Sequence, residues 1–348
     1  MRCLAIALLL LAALPSMAAE PAPPASPLTP EEMAAGWLAI FDGESTFGWK
    51  VEGDAEVKDG KLVVGGAKAT KLTTTTSFPP GSLRRVHENL DKKPIPGGKI
   101  IGPGRLVADL NEILTSNSST PYVEPFGPNQ PHGPIVIEVP AGHQVAFLKL
   151  AVKLVGLKPL FNGTDLTGWT LYTGDAGKRK LASKFDVTSK GELHVVDGPG
   201  DLQTTGKYAD FCLQFDCQTN GKQLNSGIFF RCLPDQYQNG YEAQIQNGYL
   251  GERTNPVDFG TGAIYRRVKS RKVVSNDNEW FTMTVLAQGK HIATWVNGYQ
   301  TVDWTDDRPE NENPRQGSKT GAGHLSIQGH DPTTDILFRN LRIIDMKK

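Results

Sequence analysis

Four segments in the C-terminal half carry polar side chains at every second position, and their types could do chemistry on a sugar. In "DFCLQFD", Phe211, Leu213 and Phe215 alternate with Cys212, Gln214 and Asp216. In "SGIFFR", Ile228 and Phe230 alternate with Phe229 and Arg231. In "YEAQIQ", Tyr241, Ala243 and Ile245 alternate with Glu242, Gln244 and Gln246. In "GHLSIQGH", Leu325 and Ile327 alternate with His324, Ser326, Gln328 and His330. Side chains alternate across a strand, so each segment has an apolar face and a second face of different character. Antiparallel sheets commonly wet one face. Here, however, Gln214, Gln244, Gln328 and Arg231 either donate and accept at once or present a fork, which suits sugar hydroxyls. Trp280, Trp295 and Trp304 are candidate platforms for a ring.

The elements that must position these residues are strands. Gly 37 and Pro 24 in 348 residues suit short strands joined by turns. Further strands are predicted at "GAIYRR", "WFTMTVLAQ", "HIATWVNGYQTVDW" and "DILFRNLRII", giving an antiparallel sandwich. The opening of this unit, "LFNGTDLTGW" at 160–169, has a copy at 40–49, "IFDGESTFGW". Both continue with a strand, a turn at Gly191 or Gly60, a second strand, and a Thr-rich strand, "DLQTTGKY" or "KLTTTTSF". Two copies this far apart are two domains, not a solenoid. In the first, "RLVADLNEIL" reads as a short helix and "STPYVEPFGPNQPHGP" as loop, before strands at "PIVIEVP" and "VAFLKLAVKLVG". That first domain shows no counterpart of "SGIFFR" or "YEAQIQ" and reads as an accessory unit spanning 37–157. A partner-docking role is a further reading of it.

The N-terminus, "MRCLAIALLLLAALPSMAAE", has a basic residue, an apolar run and a small-residue cleavage site, the pattern of a secretory signal over residues 1–19. Its apolar run is too short to span a bilayer, which takes about 20 residues. "EPAPPASPLTP" reads as an extended tether, and "TPEEMAAGW" as a short helix capped by Thr29. An exported protein is expected, periplasmic or extracellular. Lys plus Arg equal Asp plus Glu, 37 each, which argues against a nucleic-acid partner. Cys212, Cys217 and Cys232 remain after cleavage, and a hairpin of 210–217 with 226–232 would set Cys212 near Cys232. A disulfide there and three buried thiols are both open.

The ordered set "LFNGTDLTGW", "NSGIFFR", "GYEAQIQN", "GTGAIY", "NEWFTMTVLAQGKHIATWVNG" and "GHLSIQGHDPTTDILFRNLRI" resembles the 3-keto-disaccharide hydrolase domain family over 158–346. The resemblance implies a concanavalin A-like jelly-roll sandwich with its ligand on the concave sheet. It also implies glycosides oxidised at C3, with polar positions at Asn225, Arg231, Glu242, Gln244, Tyr265, Gln328 and His330. Many members carry Asp where this chain has Asn247; were that Asp a base or ligand, the activity here would be weak. A C3 ketone acidifies the C2 proton, so a base, a donor for the enolate oxygen and an acid for the leaving group suffice. Glu242 is the candidate base, Arg231 or Tyr265 the enolate donor, and His330 the acid. The alternatives are a structural Glu242–Arg231 pair, a core Tyr265 and a loop His330. A divalent metal on His324, His330, Glu242 and Asp331 stays open. No nucleotide cofactor is expected, because no strand–glycine–helix context is present. A lectin-like module that binds glycan without turnover is the competing reading.

Overall fold

The computed structural model describes residues 26–111, 118–127, 132–173, 181–234 and 236–346. The expected leader lies outside them. Thr29 caps a short helix α1 (Pro30–Ala34), accepting from the Glu32 amide while the Glu32 carboxylate accepts from its own.

Eleven strands then build a first sandwich. They are β1 (Trp37–Ala39), β2 (Trp49–Glu52), β3 (Ala55–Lys58), β4 (Lys61–Gly66), β5 (Thr70–Thr74) and β6 (Gly81–Asn89). There follow β7 (Lys99–Gly102), β8 (Arg105–Asp109), β9 (Ser118–Phe126), β10 (Val136–Val139) and β11 (His143–Leu154). Thirteen more build the second: β12 (Lys158–Pro159), β13 (Trp169–Leu171), β14 (Lys184–Val187), β15 (Leu193–Val196), β16 (Gly200–Thr204), β17 (Phe211–Thr219) and β18 (Ser226–Cys232). The rest are β19 (Tyr241–Ile245), β20 (Phe281–Gln288), β21 (His291–Val296), β22 (Tyr299–Thr305), β23 (His324–Gly329) and β24 (Asp335–Asp345). Every pairing between these strands is antiparallel. The fold is all-β, a jelly-roll sandwich preceded by a smaller β domain.

The two sandwiches share one topology. The first has sheets ordered β3-β4-β11-β6-β9 and β2-β5-β10-β7-β8. The second has β14-β15-β24-β17-β20-β21-β22, an eight-stranded sheet once β12 is added beside β24 as β1 is beside β11, and β13-β16-β23-β18-β19. Strand by strand these coincide, and the second adds only the hairpin β21–β22. The repeated motif explains the shared start. The Trp49 and Trp169 indole N–H groups donate to the Ile40 and Leu160 carbonyls. The Asp42 and Asn162 side chains each accept two backbone amides of the following turn. The first domain therefore does have counterparts of "SGIFFR" and "YEAQIQ": β7 and β8 hold those places. The expected helix at 105–114 is strand β8 as far as Asp109, and residues 112–114 lie outside the described set. The expected loop at 119–134 begins as β9. Pro121 and Pro125 hid this strand, but prolines are tolerated in it because β9 ends its sheet.

Cys212 sits on β17 and Cys232 on β18, which belong to different sheets, so the hairpin that would oppose them does not form. Cys212, Cys217 and Cys232 are free and buried. The core between the second pair of sheets holds Leu213, Phe215, Ile228, Phe230, Ala243 and Ile327, the apolar parity set. Outward residues of the eight-stranded sheet, Cys212, Leu286, Ala293 and Trp295, join the core of the first sandwich. Trp295 donates to the Ala39 carbonyl at 3.0 Å and packs on Phe78.

Candidate active site

The outer face of the five-stranded sheet β13-β16-β23-β18-β19 carries the polar parity set. Register places Gln203 beside Ser326, Ser326 beside Phe229, and Phe229 beside Glu242. One step along, Asp201 stands beside Gln328, and Gly227 beside Gln244. All of these side chains are buried although they face away from the sandwich core. Gln203 Nε2, Ser326 Oγ, Gln328 Oε1 and Gln244 Oε1 have no hydrogen-bond partner among the described residues. Unsatisfied buried polar atoms are rare; four converging on one face fit a hydroxyl-rich ligand.

Glu242 lies at the edge of this face and lines a cavity of about 210 Å³ with Tyr241, Tyr265, Arg266, Arg267 and Arg315. Its carboxyl packs against Gly227, where a Cβ would approach Glu242 Cγ and Oε1 to 2.9 Å. Burial pushes the Glu242 pKa up to about 8; Arg315 and Arg266 pull against this, and Asp258 and Asp201 add to it. Tyr265 is half-buried and edge-on to Phe259, its backbone amide donating to the Glu242 carbonyl at 2.9 Å. Both therefore belong to one site. Residues 262–267 do not form the strand expected there; instead a turn is closed by paired Ile264 and Val268.

Gln244 and Asn225 share a partner that sequence reading missed. Asn225 donates to Asp258 Oδ2 at 2.7 Å, and Gln244 donates to the same oxygen at 3.2 Å and to the Asp258 carbonyl at 3.0 Å. Asp258 takes a left-handed conformation, φ 45° and ψ 47°, that aims its carboxylate back at the sheet. His330 continues the outward parity of Gln328 but lies just beyond the end of β23, exposed and paired with Asp331 at 2.7 Å.

Three expectations are corrected. Arg231 does not reach the face: it is fully buried, donates to the carbonyls of Ala209, Gly289 and Lys319, and pairs with Asp210 at 3.2 Å. It is structural, but its partner is not Glu242. Gln214 lies on the other sheet, donating to Thr284 and accepting from Arg342 where the first sandwich packs. The tryptophan platform does not form: Trp295 is in the domain interface, Trp280 lies under Arg339, and Trp304 packs edge-on against Tyr241. Among the described residues no three His, Cys, Asp or Glu converge as metal ligands, and His324 instead bonds the Thr204 carbonyl. Asn247 is off the face. It accepts from Thr261 and Ser275 and donates to Asp277 at 3.1 Å, so an aspartate there would confront Asp277.

Sequence reading also missed Asp201, Gln203, Arg266, Arg267 and Arg315. Alternation in "DLQTT" carries the first two. The arginines had no local signal, since a turn and a distant loop bring them together.

In the first sandwich the same positions are stripped of this chemistry. Across a bulge Leu106 pairs with Ile101 as Glu242 pairs with Phe229, and Glu138 bridges to Lys99 at 3.0 Å and to Lys71 at 3.9 Å.

Among solved structures, the chain is similar to a glycosyl hydrolase candidate from Parabacteroides distasonis ATCC 8503, at 22% identity with a TM-score of 0.44, over 55% of this chain and 94% of that one. It is also similar to the carbohydrate-binding module CBM66 from Bacillus subtilis, at 17% identity and a TM-score of 0.37, over 51% and 94%. A search of curated proteins returned no match. The model of the 3-keto-alpha-glucoside-1,2-lyase-like domain matches residues 156–344. That span is more than half of the chain, and this protein belongs to the family of 3-keto-alpha-glucoside-1,2-lyase-like domains.

Proposed function

We propose that the second sandwich cleaves 3-keto-glycosides by elimination and hydration on the outer face of its five-stranded sheet. The observation that carries this reading is the carboxyl of Glu242, buried at the edge of a glutamine-lined face and lining a cavity with tyrosines and arginines. Glu242 takes the C2 proton, and the C2–H electrons pass to the C3 oxygen as an enolate. Tyr265 receives that oxygen. The enolate collapses, the C1–O bond breaks, and the leaving oxygen takes up a proton. Water then adds to C1 of the enone and a proton returns to C2, so the net change is hydrolysis. No oxocarbenium ion arises, so the carboxylate pair of ordinary glycosidases is not required. His330 is the weakest of the proposed participants because of its distance along the strand.

The test is aglycone release from a 3-keto-glucoside and from its unoxidised parent, with and without chelator. Release from the keto form alone is expected. Glu242→Gln is expected to lower kcat by about 10² or more while keeping binding. Glycan binding with no turnover by the unsubstituted protein would instead make this face a lectin site, which its unpaired amides also suit. Export is proposed from the leader alone; sequencing the mature N-terminus after expression checks it, and an intact Met1 would refute it.

A further inference from the structure

Three guanidiniums stand at the mouth of the Glu242 cavity, and none of them forms an ion pair among the described residues. The turn Tyr265-Arg266-Arg267 is folded tightly: Ile264 and Val268 exchange backbone hydrogen bonds of 3.1 and 3.0 Å. Its Tyr265 amide is tied to the Glu242 carbonyl. Arg266 adopts φ +57°, a conformation that non-glycine residues seldom hold, and is exposed with its guanidinium 5.3 Å from the Tyr265 ring centroid. Arg267 donates to the Arg315 carbonyl at 2.6 Å and to the Arg266 carbonyl at 3.1 Å. Arg315 donates twice to the Gln238 carbonyl, at 2.9 and 2.6 Å, and stands over the Phe229 ring.

Every acceptor here is a neutral carbonyl. Elsewhere in the same sandwich Arg231, Arg271, Arg308 and Arg339 each meet an aspartate. An enolate oxygen needs one cation; this mouth holds three. Arg267 and Arg315 repel each other across the turn and the loop, and an anion between such charges offsets that cost. A planar guanidinium fork meets a planar carboxylate with two parallel N–H···O bonds.

We propose that the glycoside taken by this site carries a carboxylate, received by Arg266 and Arg315 at the mouth while the sugar ring lies on the glutamine face. The proposal rests on reading that face as a glycoside site, and it names the substrate class: carboxylated glycosides, with the acid on either the aglycone or the sugar.

Calorimetric titration of the purified chain tests it without turnover. The ligands are two unoxidised pairs, each as both anomers: para-carboxyphenyl glucoside against its methyl ester, and phenyl glucuronide against phenyl glucoside. At least one acid is expected to bind about tenfold tighter than its neutral partner, the yield of one charge-assisted contact. The pair that shows the difference locates the acid. The preference should shrink as salt rises from low to physiological, a readout that needs no variant. It should fall toward unity in Arg266→Gln and Arg315→Gln. Equal affinities within each pair, no binding by either acid, or a preference untouched by salt and by both substitutions would overturn it. Acid preference without release from any keto form would remove the enzymatic reading and leave the anion site standing. Release with no acid preference would do the reverse.

Discussion

Glu242 must take a proton from carbon while its own burial favours the protonated acid. With its pKa at about 8, roughly one carboxyl in ten is ionised at pH 7. A base acts in its ionised form, so the rate must climb as that form accumulates. We expect kcat/KM on a 3-keto-glucoside to rise nearly tenfold per pH unit below about 8 and to level above it. Steady-state rates from pH 6 to 9 check this. A profile that falls through 8 would make Glu242 the acid for the leaving group instead. Arg231 shows the opposite use of burial. Its charge is neutralised by carbonyls and Asp210, so a residue matching the family's polar pattern serves the fold instead of the face.

At the scale of the element, β6 carries a buried histidine into the first sandwich. His87 packs beside Tyr122 and Phe147, and neither ring nitrogen has a partner among the described residues. The charged groups near it are Arg85 on its own strand and Glu124 on β9, which pair with each other at 2.9 Å. Burial, and then the Arg85 charge, lower the His87 pKa to about 4. An unfolded histidine protonates near ~6.5. Between those values the unfolded chain binds more protons, so His87's contribution is intact above 6.5 and is lost as pH falls toward 4. Denaturant midpoints at pH 7 and 4.5 should drop further for the unsubstituted chain than for His87→Gln. Equal drops would show that His87 is protonated in the fold. The strand itself also explains a misreading: β9, with two prolines, looks like loop until its place at the end of a sheet is known.

For the whole molecule, the two sandwiches share a buried apolar seam, so they are expected to unfold together. Trp295 is its centre, fully buried, packed on Phe78 and bonded to the Ala39 carbonyl. Trp295→Ala should cost about 3–5 kcal/mol. It should split one calorimetric transition into two, first sandwich and second. A single transition with little change in midpoint would mean that the seam couples them weakly. The seam also occupies the outer face of the eight-stranded sheet, leaving the five-stranded sheet to present the candidate site.

What the amino-acid order determined alone was parity and repeat. Alternation sorted Leu213, Ile228, Ala243 and Ile327 into the core, and the twin motifs at 40–49 and 160–169 announced two related units. These features are legible because they rest on short-range geometry: side-chain alternation and hydrogen bonds within one turn. Parity says that Gln214 and Gln244 both point away from the core, but not what lies over each. Sheet order decided that. Strand β17 went to the sheet that the first sandwich covers, and β19 to the sheet beside the Arg266 turn and the Arg315 loop. Contacts such as Arg267 with Arg315, 48 positions apart, and Trp295 with Ala39, 256 apart, leave no local trace in sequence. The outward glutamines therefore divided into interface and site only when the chain folded.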